Sequence, residues 1–259
     1  MRRRGLTRKL PILPLARLLG SLLALPLAAT LASRAGADLL LSVKGHADAF
    51  SVGDRTQPAH DSDVKIWLRA DKMRRDEGPL TAIVRLDRQK LYLVNHTDRT
   101  YSALDLPVDW KKFVPKDDQE KFQQYLAANQ IKASVTPTAE TRKIHGWNTH
   151  RVDVELSGPR EVKVSTQMWM TKDLGLYAAY NKMSGVLASL QANSADWSLK
   201  IAQLDGFPVY QETQVSVGGA SFKSREEVIT AETKEVPDVT YDIPLGFTAT
   251  PYDPFRPPE

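Results

Sequence analysis

The sequence predicts an α+β protein, an antiparallel β-sheet with amphipathic helices laid against it. Three observations predict it. Short runs alternating apolar and polar residues follow one another from Val64 to Tyr101, broken by charged turns. Runs of the same kind return in 134–158, 162–175 and 199–247. Two stretches, 117–129 and 176–191, instead carry apolar residues at helical spacing.

The chain opens on MRRRGLTRK, an apolar stretch from Leu18 to Ala32 interrupted by Pro26, and the small residues Ala35-Gly36-Ala37. That order is the pattern of a secretory signal, residues 1–37, cut between Ala37 and Asp38. The alternative is an uncleaved anchor. A span needs about 20 apolar residues, and Arg17, Pro26 and Arg34 confine this run. Residues 38–259 are then expected to form a single domain, ending in a proline-rich tail over about 250–259 that is extended or frayed. The expected address is the periplasm, with release outside the cell as the alternative.

Seven of the 35 basic residues and none of the 31 acidic ones precede Asp38, so 28 against 31 remain, a formal −3. The electrostatic footprint of nucleic-acid binding is missing from that part. Cysteine is absent, which excludes a thiol nucleophile, a disulfide framework and a lipidated cysteine after the signal.

From Asp38, LLLSVKG fits an opening strand or a short helix, and periodicity does not decide between them. GDRTQPAHDSD reads as a polar loop. Next, Val64, Ile66 and Leu68 fall on one face of a strand while Lys65, Trp67 and Arg69 fall on the other. The second of these faces is solvated or lines a concave surface. A turn at Ala70-Asp71-Lys72, a stop at Gly78-Pro79, a turn at Asp87-Arg88-Gln89-Lys90 and a hairpin at Asn95-His96-Thr97-Asp98 divide the meander. Such short turns require antiparallel pairing.

Pro107 to Pro115 is a connector anchored by Trp110 and Phe113. Asp117 with Glu120 has the form of a capping box, and Phe122, Tyr125 and Leu126 give a helix through Asn129 its apolar stripe. Two strands around Gly146 and a third over VKVSTQMWMTKDLG follow. Leu176, Tyr180, Met183, Leu187 and Leu190 recur every three or four residues and predict a second helix over Leu176–Gln191. Strands resume after Trp197, turn at Gly218-Gly219, and end with PDVTYDIPLGF.

Recognisable catalytic chemistry is missing. The five histidines form no H-E-x-x-H motif, and no G-x-S-x-G elbow, Walker loop or G-x-G-x-x-G occurs. His145 and His150 flank a turn but lack a third ligand set by spacing, and HDSD at His60–Asp63 lacks the glycine and distal glutamate of a calcium loop. The reading is of a protein that is not an enzyme and needs no cofactor or metal. Lys72, Arg74, Arg75, Arg85, Arg88 and Lys90 crowd the meander, interleaved with Asp71, Asp76, Glu77 and Asp87. That mixture is the mark of a solvated strand surface.

The segments IWLRADKMRRD (Ile66 to Asp76), VRLDRQKLYLVNHTDRTYSAL (Val84 to Leu104), TRKIHGWNTHRVDV (Thr141 to Val154), MWMTKDLGL (Met168 to Leu176), LDGFPVYQET (Leu204 to Thr213) and VPDVTYDIPLGF (Val236 to Phe247) run in order along the chain. Through them it resembles a family of secreted bacterial domains of unknown function, related in fold to the periplasmic lipoprotein carriers of the Lol type. The resemblance implies an incomplete β-barrel, a strongly curved antiparallel sheet with helices covering its concave face and an apolar cavity between. The carriers hold acyl chains there, but no segment of this chain matches a gating or partner-docking residue.

Two readings follow: a non-enzymatic binder of a lipid or other apolar ligand, or a structural or protein-interaction module of the cell envelope. The candidate cavity residues are Trp67 and Trp169, expected on the face of the sheet that the second helix covers, and Tyr180, Met183, Leu187 and Leu190 on that helix. No nucleic-acid partner and no membrane span after cleavage are expected.

Overall fold

Of the 259 residues, the structure, a computed structural model, describes 37–52, 55–159, 162–217 and 219–254. The signal over 1–36, Gly218 of the expected hairpin and the tail from residue 255 lie outside the described residues. The opening stretch is a strand, β1 (Asp38–Ala47), with Leu39, Leu41 and Val43 alternating into the core. β2 (Phe50–Val52) and β3 (Arg55–Gln57) form a separate two-stranded ribbon. The polar loop is shorter than expected, because β4 (His60–Arg69) starts at His60, where His60–Asp63 pair with residues 44–47 of β1.

The meander forms as its turn residues dictate: β5 (Lys72–Glu77), β6 (Leu80–Arg85), β7 (Lys90–Asn95) and β8 (Thr100–Asp105). Gly78 turns with φ of 54°, a conformation that favours glycine. At the next hairpin the Asn95 side-chain oxygen accepts the N–H groups of Thr97 and Asp98. The connector is anchored as expected, with the Trp110 indole donating to the Ser189 carbonyl and Phe113 packing on the core.

The first helix, α1 (Gln119–Ala128), exists but does not cover the sheet. None of its residues is buried, and Tyr125 is 55% exposed. Asp117 lies in a preceding 3-10 turn and the helix has no side-chain cap at its N-terminus. Phe122, Tyr125 and Leu126 are the only large apolar residues among its ten, a stripe too narrow to compete for the core. After β9 (Lys132–Ile144), β10 (Trp147–Ser157) and β11 (Lys163–Thr171) comes α2 (Tyr177–Ala188), which packs against β4, β5 and β12.

The return to strands comes later than the sequence predicts, because Ala195–Ala202 is a helix, α3. Asp196 in its first turn pairs with Lys200 one turn on and accepts the Ala133 N–H. Helices α2 and α3 approach closely at Gly185, where an added Cβ would lie 2.7 Å from the Ser198 carbonyl oxygen. β12 (Phe207–Val217) and β13 (Ala220–Lys234) follow, and β14 (Thr248–Ala249) pairs parallel with β8.

Twelve strands form one sheet in the order β14-β8-β7-β6-β5-β4-β1-β13-β12-β11-β10-β9. The sheet is open, since β14 and β9 are edges that do not pair with each other. On one face Leu39, Leu41, Ile66, Leu68 and Met73 meet Tyr180, Met183 and Leu187 of α2 and Leu190 just past its end. Among the described residues no helix is long and apolar enough to cross a membrane.

The segment PDVTYDIPLGF is not the expected strand. Asp238–Tyr241 is a 3-10 turn whose Tyr241 is fully buried against Ile83 and Val94. Its hydroxyl donates to Asp38 at 2.6 Å, and Asp38 also takes Arg69 through two bonds of 2.8 and 2.9 Å and the Val236 N–H. Burial pushes the Asp38 carboxyl up, but these hydrogen bonds from Arg69, Tyr241 and Val236 outweigh it and hold it below the usual carboxylate range. Arg85, fully buried, forks onto Asp87 and reaches Asp242 at 2.8 Å. Lys72, Arg74, Arg75, Arg85, Arg88 and Lys90 each pair with a carboxylate, and Arg85 is interior rather than solvated. The described part of the tail is held too: Tyr252 packs edge-on to Phe113, 5.3 Å between centroids.

Candidate functional site

Strand alternation decides which residues meet the helices. Ile66 and Met168 face α2 and α3, and Trp67, next to Ile66, points the other way into a separate cluster. Between the helices and this face lies a cleft of about 490 Å³. Its floor runs across β5, β4, β13, β12, β11 and β10, through side chains such as Met73, Ile66, Thr213, Met168 and Val154. Its roof is Tyr180, Leu187 and Ala188 of α2 with Trp197 and Ile201 of α3.

The roof is fixed by buried polar bonds. Asn181, fully buried, donates from its side-chain nitrogen to the carbonyls of Leu204 and Gly206 at 2.7 and 2.8 Å, tying α2 to the start of β12. Ser194 donates to carbonyls at the end of α2. A buried polar group so satisfied costs little and specifies one arrangement.

One side of the cleft is charged. Arg75 lies between Glu226, 2.8 Å away, and Glu77, 3.1 Å away, and Gln211 donates to Glu226 at 2.7 Å. Burial works against the Arg75 charge, but Glu226, Tyr180 and Glu77 more than restore it and raise its pKa above the ordinary arginine value. The Tyr180 hydroxyl is pushed up chiefly by burial. The Thr166 and Thr213 hydroxyls are 3.0 Å apart and satisfy each other. Ser184 and Gln191 add polar groups on the helix side, and most of the remaining lining is apolar.

Of the six residues singled out from sequence, Tyr180 and Leu187 line the cleft. Met183 and Leu190 pack into the core beneath it and do not line it. Neither tryptophan lines the cleft: Trp67 packs away from it in a separate cluster, and Trp169 is buried in the same core as Ile66, Met73 and Met183. Trp67 packs by Ile83, Val94 and Tyr241 with the Arg74 guanidinium 5.5 Å from its ring, and Trp169 lies under Arg142 at 3.9 Å. The face holding Ile66 and Leu68 is the one that faces the cleft. Sequence reasoning also missed Arg75 with Glu226, whose partners are 151 residues apart, and Trp197, which sits on an unexpected helix.

His145 faces Glu227 at 2.8 Å. No cluster of three or more histidines and carboxylates that could hold a metal occurs among the described residues.

A family model described as a domain of unknown function, DUF4412, matches residues 54–247. No curated protein matches the chain. Among solved structures it is similar to a crystallised domain from Vibrio parahaemolyticus assigned to outer membrane lipoprotein sorting. The two are 4% identical over 79% of this chain and 89% of that one, with a TM-score of 0.28.

Proposed function

The chain belongs to the DUF4412 family of unknown function, and from the cleft we propose that it is a non-enzymatic protein binding a lipid or similar apolar ligand between α2–α3 and the sheet. The observation that carries this reading is a space of about 490 Å³ left between helices and sheet where a finished core has none. That volume falls within the roughly 300–1,000 Å³ of small-molecule sites. Its mostly apolar walls suit a hydrocarbon chain, and the Arg75–Glu226 pair suits a polar end held toward solvent.

In this reading the helices cover the concave side of a curved sheet, as in an incomplete barrel. The protein acts in the periplasm after export, as the basic, apolar and small-residue order of its start implies. Binding and release need no chemistry, only a pocket that excludes water from the ligand.

The test is to purify the protein from its own cell envelope, weigh it intact under native conditions, and extract it with organic solvent. Added mass that leaves as an acyl lipid supports the proposal. Protein that carries no extractable ligand at any expression level sinks it and leaves the envelope interaction module as the surviving reading.

A further inference from the structure

The floor of the cleft continues past the helices as polar surface. On β1, Leu39, Leu41 and Val43 alternate into the core, and the next two positions on that face, Gly45 and Ala47, are small. Gly45 pairs with Ser62 of β4 and Glu226 of β13, and Glu226 with Gln211 of β12. Ala47 pairs with His60 and Ser224, and Ser224 with Thr213. Paired residues share a face, so polar side chains flank a trough over β1, a pocket of about 210 Å³ that shares Gln211, Thr213 and Glu226 with the cleft. Glycine within a strand weakens it and marks a close approach; here a Cβ at Gly45 would collide with the Ser62 hydroxyl.

We propose that this pocket binds the glycosyl head of an amphiphile whose tail lies in the cleft. The inference rests on the apolar-ligand reading and adds a second subsite to it. Among the described residues, the charged side chains on this face of the pocket are Glu77 and Glu226, which share Arg75. His46 and Arg225 are partners in register on the opposite face, where His46 bonds Asp61 at 2.7 Å. A phosphate or carboxylate head would therefore meet two carboxylates and no unpaired cation. An ammonium head has its donors at one point, too close together to use acceptors spread over β4, β5, β12 and β13. Sugar hydroxyls, each a donor and an acceptor, match serine, threonine, amide and carboxylate groups so spread.

The experiment uses the mature protein and the double variant Ser62→Val with Ser224→Val. Both serines line the polar pocket and not the cleft, and valine suits a strand. N-phenylnaphthylamine fluorescence reports occupancy of the cleft, and octyl glucoside and octanol, which share a chain, compete with it. The ratio of glucoside to octanol affinity should fall roughly tenfold from parent to variant, the share of two hydrogen bonds, while octanol binds both alike. Octyl phosphate and octylammonium should bind the parent more weakly than the glucoside. Equimolar glucose should not restore the probe signal that the glucoside displaces.

An unchanged ratio overturns the inference and leaves the apolar-ligand reading standing. Tighter binding of the phosphate or the ammonium compound overturns it as well, as does restoration of the signal by glucose, which would make the pocket a site for free sugars. Should neither probe nor competitors bind the parent, the apolar-ligand reading falls and takes the inference with it. If melting curves show the double variant unfolded, Ser224→Ala, which only removes a hydroxyl, supplies the ratio, and a fall of roughly threefold is then expected.

Discussion

Replacing Asp38 by asparagine removes the charge on which both ends of the described chain converge. Asp38 is fully buried and receives four donors: two from Arg69, one from the Tyr241 hydroxyl at 2.6 Å, and the Val236 N–H at 3.1 Å. Asparagine keeps one acceptor oxygen and turns an amide donor toward the Arg69 guanidinium, so the two-pronged bond is lost. Removing one member of a buried pair costs about 3–5 kcal/mol. Arg69 keeps Asp238 at 2.9 Å and is partly solvated, which places the loss at the lower end, about 3 kcal/mol. For a chain of this size that is a fall in melting temperature of roughly 6–12 °C.

Urea unfolding at neutral pH measures the loss directly, and its pH dependence identifies the cause. The folded pKa of Asp38 is depressed, so its contribution is fully present above the unfolded value of about 3.9 and is lost as pH falls through the folded value. Asp87 and Asp238 are shifted the same way, first by Arg85 and Lys72 respectively, and act in the same direction. The parent should therefore weaken on acidification below about pH 5, more steeply than Asp38→Asn, with the two converging in acid. A loss under about 1 kcal/mol at neutral pH, or parallel pH curves, would refute the reasoning.

Three further outcomes are expected. Gly185→Ala puts a methyl 2.7 Å from the Ser198 carbonyl and 3.0 Å from Ala202 Cβ, so α2 and α3 must part at a cost of about 1–3 kcal/mol; an unchanged melting temperature contradicts the described helix contact. Arg85→Lys keeps the charge but cannot fork onto Asp87 while reaching Asp242, so it should lose about 2 kcal/mol in urea titration, and full retention would show that geometry is idle there. The form isolated from the envelope should begin at Asp38; an intact mass that still includes residues 1–37 rejects the export signal.

What was legible in the sequence was local. The turns at Asp71, Gly78-Pro79 and Asn95 lie beside the strands they join, and period-two alternation found β5 to β8 to within a residue or two. Helix α2 was legible because Tyr180, Met183 and Leu187 repeat at helical spacing over three turns. What was not legible depends on distant partners. The helix Ala195–Ala202 is only two turns long, with Trp197 and Ile201 as its one large apolar pair at helical spacing, and its docking depends on Gly185 letting it approach α2. PDVTY curls because Tyr241 reaches Asp38 across 203 residues.

The cleft was half legible for the same reason. Alternation separated Ile66 and Leu68 from Trp67, but cannot say which face a helix 110 residues later will cover. Trp67 was assigned to the wrong face for that reason, whereas Tyr180 and Leu187 were found because they lie on the covering helix itself.

The most direct test of the apolar-ligand reading is the pair formed by the parent and Leu187→Trp, titrated with N-phenylnaphthylamine while melting temperature is followed. Leu187 lines the cleft and is only partly buried, so an indole there has open space to enter. The account predicts saturable binding to the parent, lost in Leu187→Trp with no fall in melting temperature. Absent binding by the parent, together with a melting temperature lowered in Leu187→Trp as an overpacked core would show, at a cost of about 1–3 kcal/mol, contradicts it.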